Sequence, residues 1–225
     1  KPVSTLFCWP IRKKNISKTG NPIKSQSNWI SMGLSSYGVI NYMQKYSTGK
    51  VIIALFVLTM AVYFTMLFYS IPAVSVFAPD SPIFDLSPSG YSFNYANELL
   101  NSLGTEGRSL YLTTQLPLDF IYPGLFSITY SLMLVWLFGK TFDGNSKVYY
   151  FALVPFLAGI FDYIENVFIV KMINSFPDLQ VATVKIASIF TILKSSFTMF
   201  FFVLLIAGFA LLCKKKLSNN RNRLG

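Results

Sequence analysis

Histidine is absent from this chain of 225 residues, and charge is scarce: only 12% of its residues are Asp, Glu, Lys or Arg, about half the share found in soluble domains. Without histidine the chain has neither the commonest metal ligand nor the commonest general base. Histidine-dependent membrane hydrolases and desaturases, and haem proteins ligated through histidine, are thereby excluded. Cysteine is nearly absent too. Cys8 and Cys213 stand far apart with no C-x-x-C pair, which argues against a membrane thiol oxidoreductase. Cys213 closes an apolar segment, a position open to S-palmitoylation, although an inert thiol is the plainer reading. The first residues lack the short apolar core of a signal peptide, and the chain opens on Lys1 instead of Met, as if an upstream segment were removed or unseen.

What the chain has is apolar surface: 53% of its residues are hydrophobic and 17% aromatic. These residues collect into four continuous runs, at 51–72, 116–138, 148–172 and 186–213. Each is long enough for a helix to cross the ~30 Å of a bilayer's hydrocarbon, which takes roughly 20 residues. The runs lack the dyad alternation of barrel strands. The expected fold is therefore all-α: a polytopic membrane protein built on a four-helix bundle.

The net charge of +10 is distributed as a topology signal. Of the 19 Lys and Arg residues, 15 lie before the first run, between the second and third, or after the fourth. Asp143 is the one acid among them. The positive-inside rule then places both termini on the cytoplasmic or an equivalent side, and an even number of spans agrees. The basic ends suit anionic membrane lipids as partners and give no reason to expect nucleic acid. The sequon at 15–17 falls on the cytoplasmic side, where it would not be glycosylated.

Along the chain, 1–50 is a basic N-terminal segment. Within it, 29–43 reads either as an interfacial helix or as a loop packed on the bundle. Residues 51–213 form the transmembrane domain and 214–225 a basic tail. The outer loop, 73–115, carries Pro79, Pro82 and Pro88 and then a short helix, with Ser92 as N-cap and Gly104 as its stop. A loop this long is expected to cap the bundle. Pro123 should kink the second span. Ala158 and Gly159 permit close helix approach in the third. Ser188, Thr191, Ser195 and Thr198 offer interhelical hydrogen bonds in the fourth.

Carboxylates inside these runs are the feature with chemical content. Asp162, Glu165 and Asn166 share one face of the third span at 100° per residue. Lys194 in the fourth span and Glu165 both fall roughly 12 Å below the outer end of their helices. Asp119 enters about four residues into the second span, and Arg108 precedes it by eleven, which puts the two on one face only if that helix is continuous. An ionisable residue in a spanning helix is a functional-site hypothesis when a partner can be named. Three acids against one or two bases leave at least one carboxylate over, which should protonate or bind a cation. The structural alternative is that these polar groups are interhelical glue.

The segments QLPLDFIYP and FDYIENVFI together resemble a pattern found in poorly characterised four-helix membrane proteins. The resemblance covers about 107–170. It implies a four-helix membrane fold and no particular activity. The claudin pattern and the histidine-using four-span sterol isomerases do not fit.

Three functions remain in view. The leading expectation is a non-catalytic accessory or structural subunit of a larger membrane complex, with protein partners and lipids around it. The second is a binder or carrier of a small cationic or lipidic ligand at the acidic cluster. The third is an acid/base enzyme on a lipid substrate, for which no nucleophile, metal set or phosphate cradle can be found. The cofactor, if there is one, cannot be named from the residues.

Overall fold

The computed structural model describes residues 36–142 and 146–224. Among these residues the chain is helical, with no strand, and four of its helices are long and apolar enough to cross a membrane. A short helix, α1 (Ser36–Tyr46), precedes them. The four long helices are α2 (Gly49–Ser75), α3 (Phe93–Thr141), α4 (Lys147–Ser175) and α5 (Val181–Leu224). Of the interfacial helix considered over 29–43, the part over 36–43 lies in α1, and 29–35 lies outside the described residues.

Local sequence explains the boundaries. The Ser92 side chain accepts a hydrogen bond from the Tyr95 backbone N–H at 3.2 Å, satisfying an orphan donor of the first turn of α3. Pro155 falls at the start of the α-helical part of α4, where its missing N–H is no loss. Phe142 and Phe176 adopt extended backbone and end α3 and α4. Pro123 sits inside α3 without ending it.

Two boundaries differ from expectation. The short helix of the outer loop ends at Gly104 as expected, but no loop separates it from the second apolar run. At Gly104 the backbone leaves the helical region (φ 61°) and re-enters it at once, so Phe93–Leu110 continues through a π-helical turn, Tyr111–Gln115, into the second apolar run. Gly104 thus ends the first helix and kinks the chain into the next, at a φ that glycine adopts without penalty. Irregular backbone between α2 and α3 is confined to about 76–92. At the far end the basic tail is not an appendage, because α5 carries on as helix to Leu224.

The helices pack in sequence order. The α4–α5 contact is the most extensive, α3 packs on α4, and α2 rests on α3, whereas α2 and α5 make no extended contact. Small and hydroxyl side chains set the close approaches. At Gly159 a Cβ would sit 2.9 Å from the Pro123 carbonyl and on top of the Ser127 hydroxyl. Thr59 and Thr129 hydroxyls meet at 2.8 Å, and Ser70 donates to Gln115 Oε1 at 2.5 Å, tying α2 to α3 at two heights. Much of the apolar surface of α2 and α5, including Ile53, Val57, Phe68, Met199, Val203 and Ile206, stays uncovered by the chain itself.

The buried core falls into two apolar clusters. One, at the loop end, gathers Val74, Ile83, Phe84, Leu99, Leu103, Tyr111, Ile169 and Ala187. The other, toward the tail end, gathers Ile52, Phe126, Tyr130, Val135, Ala158 and Phe201. Between them, on α3, α4 and α5 alike, lies a polar layer.

Candidate functional site

That layer is built from one or two turns of each helix. On α3, Asp119 falls between Leu116 of the first cluster and Phe126 of the second. On α4, Asp162 and Glu165 fall between Ala158 and Ile169. On α5, Thr191 and Lys194 fall between Ala187 and Phe201. The 100° periodicity then turns Asp162, Glu165 and Asn166 inward together.

The Lys194 ammonium is the hub. It lies 3.0 Å from Asp162 Oδ1 and 2.6 Å from Glu165 Oε2. The second contact is ionic and off the hydrogen-bond direction. Glu165 is fully buried, and its other oxygen is 2.6 Å from the Thr191 hydroxyl. That hydroxyl is also 3.1 Å from the Ala187 carbonyl, and its single proton can serve only one of them. Asn166 donates through Nδ2 to the Asp119 backbone carbonyl at 2.8 Å. It thereby fixes α4 against the first turns of the second apolar run.

Asp119 is held differently. It is 3% exposed, and its Oδ2 is buried with no donor in reach. Facing it, within hydrogen-bonding distance, is the carboxyl of Asp85, whose Oδ1 is likewise buried without a donor. Asp85 Oδ2 accepts from the Tyr111 hydroxyl at 2.5 Å. Asp85 comes from the loop. Its neighbours Ile83 and Phe84 are fully buried and drive this stretch into the bundle. Tyr95 donates to the Pro82 carbonyl, and the Tyr91 N–H donates to Ser188 Oγ at 2.9 Å, so the loop is fastened on both sides of Asp85. Gly90, at φ 81°, lies against Ser188 and Ile192 where any side chain would collide. Burial, and after it the charge of Glu165, pushes the Tyr91 phenol up from its ordinary range. Tyr91 therefore stays neutral beside the acids.

A cavity of about 380 Å³ opens on this layer, within the 300–1,000 Å³ range of ligand pockets. Asp85, Asp119, Asp162 and Lys194 supply its polar wall. Its remaining wall is mostly apolar and aromatic: Tyr63, Met66 and Leu67 from α2, Tyr122 and Phe126 from α3, Met199 and Phe202 from α5. Both α2 and α5 line it, and they make no extended contact with one another.

Of the residues singled out in the sequence, Asp162, Glu165 and Lys194 meet directly, and Asn166 joins Asp119 through the backbone. Arg108 goes elsewhere. Its Nη1 donates to the Leu100 carbonyl at 2.7 Å, and its guanidinium lies 4.6 Å from the Phe176 ring centre. The wider π-helical turn at Tyr111–Gln115 rotates it off the face that carries Asp119. Sequence reasoning missed Asp85. The available signal was an acid flanked by the apolar residues of IFDL inside a proline-rich loop, a pattern that argues for burial of the loop. The cluster thus brings four carboxyl groups to one ammonium. Among the described residues, no three acids or thiols converge as ligands of a metal ion do.

Compared with family models, with curated proteins and with solved structures, the chain matches none.

Proposed function

We propose that this is an integral membrane protein, both termini on the cytoplasmic or an equivalent side, whose cavity binds a hydrophobic organic cation such as a long-chain or arylalkyl amine. One observation carries the reading. Four carboxyl groups surround a single lysine already engaged by two of them, and the remaining pair, Asp85 and Asp119, lines a mostly apolar cavity, each with one buried oxygen that has no donor. An ammonium group seated against this pair would balance its charge, and charge-assisted contacts of this kind are roughly twice as strong as neutral ones. Tyr63, Tyr122, Phe126 and Phe202 suit both an apolar tail and the face of a cation. Because α2 and α5 line the cavity without extended contact, a tail has a way out toward lipid between them.

The test is equilibrium binding of 4-phenylbutylamine to the purified full-length protein in mild detergent, beside the matched alcohol 4-phenylbutanol. Binding of the amine should exceed that of the alcohol by at least about tenfold, a difference of roughly 1.4 kcal/mol. Asp119→Asn should abolish the preference. Equal binding of the two probes, or an unchanged preference in Asp119→Asn, overturns the reading.

A second reading, an accessory subunit of a larger membrane complex, is favoured by a different observation. The apolar faces of α2 and α5 are uncovered, and α5 extends past its apolar part as a helix bearing exposed Lys214, Lys215 and Lys216. Native purification from its own membrane, followed by mass spectrometry, decides it. Stoichiometric partner proteins would support this reading, and a lone protein would remove it.

A further inference from the structure

Asp85 and Asp119 raise a question of hydrogen bonding that the ion pairs of Lys194 leave open. Asp119 Oδ2 and Asp85 Oδ1 are both buried without a donor, and the two carboxyl groups lie within hydrogen-bonding distance of one another. Two carboxylates cannot donate to each other, and buried polar atoms are seldom left unpaired. The contact is satisfied when one proton sits between the two groups, as in other carboxyl dyads. Every neighbouring charged or titratable group leaves that arrangement intact. From α4, Asp162 and Glu165 add negative charge but are engaged by Lys194 of α5. From α3, Tyr111 already donates to Asp85 Oδ2, and Tyr122 lines the cavity near Asp119 without donating to its Oδ2. From the loop, Tyr91 is neutral and lies beside Glu165 and Thr191. No second ammonium or guanidinium lines the cavity.

Resting on the cation-binding reading, we propose that the cavity works by exchange: a hydrophobic ammonium enters, sits between Asp85 and Asp119, and displaces the proton they share. The balance is simple. Protein with one dyad proton plus one ammonium gives the complex plus one proton released to solvent. The total charge is unchanged, and the net charge of the buried layer is the same in both states. Asp119 is the fixed half of the pair, set in α3. Asp85 is the half carried by the loop. Binding thereby becomes competitive with protons, so the ligand is held where protons are scarce and released where they are abundant.

The experiment is isothermal titration calorimetry of 4-phenylbutylamine into the purified full-length protein, in two buffers of different ionisation enthalpy. An alkylammonium titrates near 10, so the probe stays charged between about pH 6 and 8 and any proton counted comes from the protein. The expected result is release of about one proton per amine bound, with affinity rising about tenfold per pH unit across that interval. In Asp85→Asn the amide donates to Asp119 in place of the shared proton, so binding should weaken and the release should vanish. Amine binding by the wild type with no proton released and a flat pH dependence overturns the exchange while leaving the cation-binding reading standing. Release of a full proton by Asp85→Asn overturns it too, because the proton would then come from another group. Absence of amine binding at every pH overturns both. If Asp85→Asn fails to fold, the wild-type proton count decides alone.

Discussion

Lys194 holds together more of the polar layer than any other single residue. Its ammonium pairs with both Asp162 and Glu165, at 3.0 Å and 2.6 Å, and its removal strands both. Breaking a buried ion pair from one side is strongly destabilising, by about 3–5 kcal/mol, whereas replacing the whole group with neutral residues can be close to neutral. Lys194→Met should therefore lower the apparent Tm of the detergent-purified protein sharply. The triple variant Lys194→Met, Asp162→Asn, Glu165→Gln should recover most of the loss. If Lys194→Met melts like the wild type, the lysine is not the hub described here. Asp119 belongs to a different balance. Its backbone carbonyl takes the Asn166 amide at 2.8 Å, while its side chain faces Asp85. Asp119→Asn keeps the backbone contact, so it should change ligand preference with little change in Tm.

At the scale of elements, the α3–α4 contact depends on the missing side chain at Gly159. A Cβ there would press on Ser127 and approach the Pro123 carbonyl to 2.9 Å. Gly159→Ala should cost about 1–3 kcal/mol through overpacking, read as a lower Tm. Adding Ser127→Ala should restore part of it, since the backbone carbonyl remains. An unchanged Tm in Gly159→Ala would mean that the helices pack less closely than described. This is also the scale at which the sequence was most and least legible. Helical period alone put Asp162, Glu165 and Asn166 on one face and matched the depths of Glu165 and Lys194, because an α-helix has a fixed rise and rotation. The same arithmetic failed for Arg108, since it presumes an unbroken α-helix and the π-helical turn at Tyr111–Gln115 breaks the count. The kinked junction of the loop helix with the rest of α3 was half legible. Gly104 is a helix-stop signal and the helix does break there, but nothing in the sequence shows that a new helix starts at once and runs through Tyr111–Gln115 into the second apolar run. Asp85 was illegible because a loop's path has no period to extrapolate. Its place follows from the burial of Ile83 and Phe84, a tertiary effect.

For the whole molecule, the arrangement is two apolar clusters with a polar layer between them and a cavity opening on that layer. The proposed orientation puts the cavity nearer the membrane face opposite the basic ends. Maleimide labelling of intact cells or organelles checks it. In a chain with Cys8 and Cys213 replaced by serine, Ser89→Cys, at an exposed loop position, should react with an impermeant reagent without permeabilisation. A cysteine introduced at Ser218, beyond the fourth apolar run, should react only after it. The reverse pattern would invert the topology, and reactivity of both would argue against a single orientation. Layer, cavity and orientation together give the account its central claim, that a hydrophobic cation occupies this cavity. Photoaffinity labelling with a diazirine-bearing arylalkyl amine, read by peptide mass spectrometry, tests that claim most directly. The account predicts label on cavity residues such as Tyr63, Leu67, Met199 and Phe202, displaced by unlabelled amine and lost in Asp119→Asn. Label spread over the uncovered faces at Ile53, Val57 and Ile206, undiminished by competitor and by Asp119→Asn, would contradict it.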